Sequence, residues 1–127
     1  MKMINKDIFN LYQKIENAFN IDNRYLPAKI NFYIQKNKNI LYTLSLLIED
    51  TKNNIAEHYG QYHLETDSYF ISQDKREIAQ QELNDLMNIE QDVNILKIKF
   101  KDIENLEFTS AQMDAILFMI EEEQGEE

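Results

Sequence analysis

The chain has 127 residues and a formal net charge of −10, with 43% hydrophobic residues, two glycines, one proline and no cysteine. This length predicts a single domain, residues 1–127, with a hydrophobic core of its own. The lack of cysteine excludes disulfides, thiolate metal sites and cysteine nucleophiles, and the scarcity of glycine and proline favours long helices over a turn-rich β fold.

The charge is unevenly distributed along the chain. Residues 1–63 contain 8 Lys and Arg against 6 Asp and Glu, whereas residues 64–127 contain 5 against 17. The two halves therefore carry net charges of +2 and −12. A strongly acidic half favours binding to basic surfaces. The first ten residues lack the apolar core of a signal peptide, and no apolar run approaches the roughly 20 residues of a membrane span, so we expect a cytoplasmic protein with no membrane partner.

Two helices are predicted in the first half of the chain. The first begins at residue 5 or 6 and ends at the polar residues 20–23. The second starts at Pro27, which is favoured in a first helical turn, and runs to Tyr59, after which Gly60 is expected to end it in a left-handed conformation. Its main apolar face is expected to contain Ile30, Tyr33, Ile40, Leu41, Leu44, Leu47, Ile48, Ile55 and Tyr59.

A small β hairpin and a third helix are predicted next. Residues 61–71 have short β-like runs on either side of Glu65-Thr66-Asp67, which is typical of a hairpin with its turn there. Ser72 is a candidate N-cap for a helix that covers residues 74–90. The buried side of that helix is expected to contain Ile78, Ala79, Leu83, Leu86 and Ile89.

The last third of the chain predicts a strand and a fourth helix. The alternating residues 93–100, VNILKIKF, predict a strand. Thr109 and Gln112 match a capping box, which predicts a helix with Met113, Ile116, Leu117 and Ile120 facing inward. Residues 121–127 are expected to form a frayed acidic tail. The predicted fold class is α+β and α-dominated, with a long central helix, three shorter helices and a small antiparallel β element formed by residues 61–71 and 93–100.

Candidate catalytic and metal-binding residues are few. His58 and His63 lie near Glu57, Glu65 and Asp67, but their spacing matches no recognised metal-ligand motif. Carboxylate pairs are numerous simply because the chain has 23 Asp and Glu residues, and two glycines do not provide a phosphate-binding loop. We therefore expect no enzymatic activity, no cofactor and no metal. A metal-dependent hydrolase that uses the two histidines is the alternative.

Direct binding to nucleic acid is not expected either. Lys97, Lys99 and Lys101 alternate along the predicted strand, but an isoelectric point near 4.6 does not fit the net basic surface of a duplex binder. These lysines are expected to keep an exposed strand face soluble and to discourage pairing at its edge.

Two features of the long helix bear on packing. Asn37 falls within the apolar face, so it is either a hydrogen-bonded core amide or a residue that sets the register of a helix pair. A second set of apolar side chains, the apolar strip, lies roughly opposite the main face and consists of Ala28, Phe32, Tyr42 and Leu46. Either the helix is covered on both sides, which we favour, or Phe32, Tyr42 and Leu46 form an interface with a partner, such as a second copy of the chain.

The acidic residues of the second half form the candidate binding surface. Spaced carboxylates on a rigid element can imitate nucleic-acid phosphates and compete for the basic groove that binds them. Ordinary solubilising charge is the alternative explanation. The residues that meet this description, here called the acidic set, are Asp74, Glu77, Asp85, Asp102, Glu104 and Glu107.

The chain also resembles a known class of proteins. The segment Leu26-Pro27-Ala28-Lys29 with the long helix after it, the Tyr59-Gly60 boundary, and residues 106–115, LEFTSAQMDA, are similar to small proteins encoded by phages and prophages of low-GC Gram-positive bacteria. The resemblance covers most of the chain, contains no catalytic signature and implies a phage origin. Such small acidic proteins are commonly virion or assembly accessories, or inhibitors of host nucleases and immune complexes, including anti-CRISPR proteins.

Two functions follow as hypotheses. The first is a non-enzymatic inhibitor that binds a basic, nucleic-acid-handling defence protein of the host through the acidic set. The second is a phage structural or assembly accessory that acts through helix packing and oligomerisation.

Overall fold

A computed structural model describes residues 1–20 and 25–121. These residues form four α-helices: α1 (Asn5–Phe19), α2 (Ala28–Tyr59), α3 (Gln73–Met87) and α4 (Ser110–Ile116). Six short strands pair two by two. β1 (Lys2–Ile4) pairs antiparallel with β4 (Glu90–Asp92), β2 (Gly60–His63) pairs antiparallel with β3 (Ser68–Ile71), and β5 (Ile98–Lys99) pairs parallel with β6 (Ile120–Glu121). The predicted α-dominated α+β fold is confirmed.

Helix α2 is the element on which the core is built. Its 32 residues correspond to a length of about 48 Å. Helix α1 lies along α2 in the opposite direction, because Lys38 pairs with Glu16 at 2.6 Å while Lys52, further along α2, lies over the ring of Phe9, near the start of α1. The fully buried side chains between the elements include Ile8, Ile15, Ile34, Leu41, Ile48, Ile98, Ile103 and Ile116.

Asn37 is a hydrogen-bonded core amide. It is 0% exposed, its Nδ2 donates to the carbonyl oxygen of Leu96 at 2.9 Å, and its Oδ1 accepts from the Leu96 N–H at 2.8 Å. The same Nδ2 also lies 3.2 Å from the Met119 sulfur. The Asn37 side chain thus makes the two backbone hydrogen bonds that a neighbouring strand would otherwise make with Leu96. The structure supports the interpretation of Asn37 as a hydrogen-bonded core amide.

The predicted strand over residues 93–100 is wrong except at Ile98–Lys99. The backbone of this segment forms hydrogen bonds outside any ladder: the Val93 N–H donates to the Met1 carbonyl, and Leu96 is bound on both sides by Asn37. The expected pairing of this segment within an antiparallel element is also wrong, because Ile98 and Lys99 pair in parallel with Ile120 and Glu121. Alternating apolar and polar residues indicate only that some side chains are buried and others exposed. An irregular segment that packs against a core can have the same pattern as a strand.

The boundaries of α2 need two corrections. Gly60 ends the helix with φ −109° and ψ 172°, which is extended rather than left-handed. Glycine is required there for space, because a Cβ atom would lie 2.6 Å from the carbonyl oxygen of Ala56. On the main face, Leu47 is exposed, whereas Ile34, which lay outside the predicted face, is buried.

For α3, α4 and the end of the chain, the structure confirms some of the predicted boundaries and buried residues and corrects others. Helix α3 ends at Met87 rather than at residue 90, and Ile78 and Ile89 are exposed rather than buried. The capping box of Thr109 and Gln112 is present as predicted. Leu117 lies after the end of α4 and is exposed. Of the predicted tail, Glu121 belongs to β6, while residues 122–127, like residues 21–24 of the first predicted loop, lie outside the described residues.

Candidate interaction surfaces

The structure divides the acidic set into two groups. Asp102 pairs with Lys29, at the start of α2, with an Nζ to Oδ2 distance of 3.3 Å. Glu77 instead lines a groove together with Lys52, in the last third of α2. Lys29 and Lys52 are 23 residues apart on one helix, which corresponds to about 35 Å. The six carboxylates therefore do not form one continuous face.

The first group, here called the α3 carboxylates, consists of Asp74, Glu77 and Asp85, all exposed. Their spacing of three and eight residues keeps them within one side of the helix. The Ser72 hydroxyl donates to Asp74 Oδ1 at 2.5 Å, and this hydrogen bond, with a smaller contribution from the backbone N–H of Asp74, lowers the pKa of that carboxyl. The Gln81 amide donates to Asp85 at 2.9 Å. The α3 carboxylates thus lie on one side of a regular helix.

The second group follows the 3-10 turn at residues 100–102 and consists of Asp102, Glu104 and Glu107. The Asp102 side chain is partly buried and pairs with Lys29, so its charge is compensated within the chain. Glu104 and Glu107 are exposed on a segment without helix or strand. This group provides a less regular array of charge than the α3 carboxylates do.

The hairpin formed by β2 and β3 is a surface that the sequence reasoning missed. All residues from 61 to 70 are exposed, including Leu64, at 86%, and Phe70, at 54%. The rings of Tyr62 and Tyr69 pack against each other with centroids 5.4 Å apart. The Tyr62 hydroxyl donates to Asp67. The aromatic residues on both predicted strands could have indicated this exposed surface. A two-stranded hairpin at the end of a helix has no second layer of structure that could cover both of its faces.

A groove lies where the hairpin meets the helices. It has a volume of about 590 Å³ and is lined by α2, β3 and α3. Its lining is mostly apolar, with Ile55, Ala79 and Leu83 among its residues, while Arg76 and Glu77 contribute opposite charges. The Arg76 Nε donates to the Ile71 carbonyl at 3.1 Å, and its guanidinium lies 5.7 Å from the centre of the Phe70 ring. The groove and the α3 carboxylates thus belong to the same end of the molecule.

The two histidines are exposed residues at this end of the molecule. The His58 ring packs edge-on against Tyr59 and the His63 ring against Phe70, with centroids 4.6 Å and 5.9 Å apart. Within residues 1–20 and 25–121, no group of three or more His, Cys, Asp and Glu side chains is arranged to hold a metal ion.

The apolar strip is a third candidate surface. Phe32, Tyr42 and Leu46 are 59%, 44% and 46% exposed. The favoured expectation that other elements cover this side of the helix is therefore wrong for the described part of the chain. The strip is bordered on one side by α1, through a contact of 5.3 Å between the ring centroids of Tyr12 and Tyr42.

Comparisons with known proteins found no matching family model, curated protein or solved structure. No helix among the described residues is both long enough and apolar enough to cross a membrane.

Proposed function

We propose that this protein is a non-enzymatic interaction protein that binds and blocks a basic, nucleic-acid-handling partner through the α3 carboxylates. The resemblance to phage proteins favours a host defence protein as the partner, such as a nuclease or a CRISPR complex, in the cytoplasm of the host cell. In this proposal the chain competes with nucleic acid for a basic groove.

The observation that carries this proposal is the combination of charge and apolar area at one end of the molecule. The α3 carboxylates are exposed on a regular helix, and the same end carries the hairpin with exposed Leu64 and Phe70. Charge provides steering and specificity, while aromatic and apolar side chains provide most of the affinity in protein interfaces. The segment that carries Glu104 and Glu107 is not next to a hairpin of this kind in the sequence.

The separation of the acidic set into two groups makes the proposal testable with matched variants. Asp74→Lys with Glu77→Lys changes the charge at the α3 end, and Glu104→Lys with Glu107→Lys makes the same change at the other end. Each protein is used as bait in a lysate of a Gram-positive host, and the captured proteins are identified by mass spectrometry. We expect a nuclease or CRISPR complex to be captured by the unmodified chain and by the Glu104/Glu107 variant, and to be lost with the Asp74/Glu77 variant.

Binding to the captured partner is then measured as a function of salt. Exposed charges are screened over about 8–10 Å at physiological ionic strength, so affinity should fall as salt rises. The Asp74/Glu77 reversal should slow association more than it speeds dissociation. Affinity that is indifferent to both the reversals and several-fold higher salt would contradict binding through the carboxylates.

The exposure of the apolar strip favours a second candidate function, a phage structural or assembly accessory that acts through Phe32, Tyr42 and Leu46. For this function the same capture experiment should recover head or tail components of a phage. Phe32→Asp with Leu46→Asp should abolish that capture and leave the circular dichroism spectrum unchanged, because both side chains are already exposed.

A further inference from the structure

Two residues of the apolar strip, Phe32 and Leu46, are placed symmetrically about Asn39. Phe32 lies seven residues before Asn39 and Leu46 lies seven residues after it. Seven residues fall about 20° short of two helical turns, so the three side chains point in nearly the same direction along the exposed side of α2. All three are exposed, and the Asn39 side chain forms no hydrogen bond with any other described residue. Such a line of side chains is self-complementary when an identical helix runs in the opposite direction.

The charges of α2 favour the same antiparallel arrangement. Residues 28–41 contain Lys29, Lys36 and Lys38 and no acidic residue, whereas residues 42–59 contain three acidic residues and one lysine. Lys38 pairs with Glu16 and Lys29 with Asp102 of the same chain, but the Lys29 side chain stays 62% exposed, and pairing about Asn39 places Glu49 of the other copy level with it. Antiparallel pairing of two copies places the basic half of each helix beside the acidic half of the other. Parallel pairing would place like charges side by side, which costs free energy and selects against that register.

We propose that α2 pairs with α2 of a second copy of this chain, antiparallel about a two-fold axis at Asn39, with Phe32 of each copy packed on Leu46 of the other. The two Asn39 amides then meet at the axis, where each can donate to and accept from the other. A polar residue at a helix interface can fix the register at some cost in stability. Tyr42, held against Tyr12 of its own chain, lies beside the seam on the α1 side.

The absence of cysteine from the chain allows a direct test of this register. A disulfide needs Cα atoms about 4.4–6.8 Å apart, which two facing positions on a two-fold axis between packed helices can satisfy. We expect Asn39→Cys to form a covalent dimer with oxidised glutathione. The matched control is Asn31→Cys, an exposed asparagine of the same helix. Its two copies would lie about 24 Å apart along the helices, so no disulfide should form.

A second pair of variants keeps Asn39 intact. Phe32→Cys alone and Leu46→Cys alone should remain uncrosslinked, because each residue is about 21 Å from its own copy. A mixture of the two should form the heterodimer. Light scattering of the unmodified chain should give twice the monomer mass of 15.2 kDa, and Phe32→Asp with Leu46→Asp should return it to the monomer.

The proposed dimer uses the apolar strip, the same surface as the second candidate function. The results of these experiments distinguish the two. A monomeric mass at the highest soluble concentration would overturn the dimer, as would equal crosslinking of Asn39→Cys and Asn31→Cys. If the Asp substitutions abolish capture of a different protein from the lysate while the unmodified chain remains monomeric, the strip binds that protein and the self-pairing is wrong. If the chain is dimeric but Asn39→Cys and the Phe32/Leu46 mixture do not crosslink, the register is wrong.

Discussion

At the scale of single residues, two buried polar side chains of α2 are in opposite situations. Asn37 forms two hydrogen bonds with the backbone of Leu96. Ser45, two turns further along the helix, is 6% exposed, and its hydroxyl has no hydrogen-bond partner among the described residues. A buried polar group stabilises the fold only where it is hydrogen-bonded, so the two residues are expected to respond to truncation with opposite signs.

Asn37→Ala should lower the free energy of unfolding by about 2–4 kcal/mol, because it leaves the N–H and the carbonyl of Leu96 without their partner and creates a small cavity. Urea denaturation followed by circular dichroism measures this change. Asn54→Ala, at an exposed position of the same helix, is the control and should change stability by less than about 0.5 kcal/mol. An equally small effect at Asn37 would show that the Leu96 hydrogen bonds are replaced by water at no cost.

Ser45→Ala should raise the free energy of unfolding by about 1 kcal/mol. The substitution removes an unsatisfied buried hydroxyl and introduces the residue with the highest helix propensity. The same urea titration measures it. A loss of stability instead would indicate that the hydroxyl is hydrogen-bonded, for example to a bound water molecule.

At the scale of elements, the boundary between α2 and the hairpin depends on the lack of a side chain at Gly60. A Cβ there would lie 2.6 Å from the Ala56 carbonyl oxygen and 3.2 Å from that of Phe70, and both are backbone atoms that cannot rotate away. The backbone dihedrals themselves are accessible to any residue, so sterics alone exclude larger side chains here.

Gly60→Ala should therefore destabilise the protein by about 1–3 kcal/mol, as overpacking does. Gly60→Asn distinguishes this cause from a left-handed backbone, which asparagine tolerates. We expect Asn to be no better than Ala in thermal denaturation. Near-complete rescue by Asn would mean that the helix ends in the left-handed conformation after all.

The hairpin should respond to high pH through its tyrosines. The pKa of Tyr62 is raised above its usual value, mainly because its hydroxyl donates to Asp67, with desolvation and Tyr69 as smaller causes. A phenol whose pKa is raised by folding stabilises the hairpin below its unfolded pKa, near 10.0, and this contribution is lost as the pH rises through the folded pKa.

Asp67→Asn should lower the pKa of Tyr62 towards its usual value, as measured by the chemical shift of the ring carbon in an NMR titration. Asparagine keeps the positive φ of 49° at this position accessible. Tyr59, whose pKa is raised mainly by its hydrogen bond to Glu82, is the internal control and should titrate as before. A Tyr62 titration unchanged by the substitution would exclude the Asp67 hydrogen bond as the cause.

At the scale of the whole molecule, the charge asymmetry of the sequence becomes two acidic surfaces rather than one. The length of α2 keeps the α3 carboxylates away from the residues around Asp102, and Lys29 compensates part of the charge at that end. A partner can therefore engage one of these surfaces without the other, which the matched charge reversals are designed to distinguish.

Because Asp74, Glu77, Glu104 and Glu107 are all exposed, reversing their charges should alter binding more than folding. We expect Asp74→Lys with Glu77→Lys, and Glu104→Lys with Glu107→Lys, each to change the free energy of unfolding by no more than about 1 kcal/mol. Chemical denaturation in parallel with the capture experiment checks this. A large loss of stability in the Asp74/Glu77 variant alone would assign those carboxylates a structural role at the start of α3.

The sequence alone determined the helical elements, the hairpin and the capping box of α4. These depend on neighbours within a few residues: helical periodicity places α1 and α2, and Thr109 with Gln112 begins α4. The turn of the hairpin falls at residues 64–67, which include the predicted Glu65-Thr66-Asp67.

Only the tertiary structure showed which elements pack or pair with each other and which side chains remain exposed. The pairing of residues 93–99 depends on Asn37, 59 residues before Leu96, and on β6, and neither contact leaves a trace in the local pattern. The same holds for the surfaces: hydropathy identified Phe32, Tyr42 and Leu46 as a strip, but their exposure follows from where α1 and α3 pack on α2. The distance between Asp74 and Asp102 likewise follows from the length of α2 and not from their separation in sequence. Local interactions are encoded residue by residue, whereas burial and distance are properties of the assembled fold.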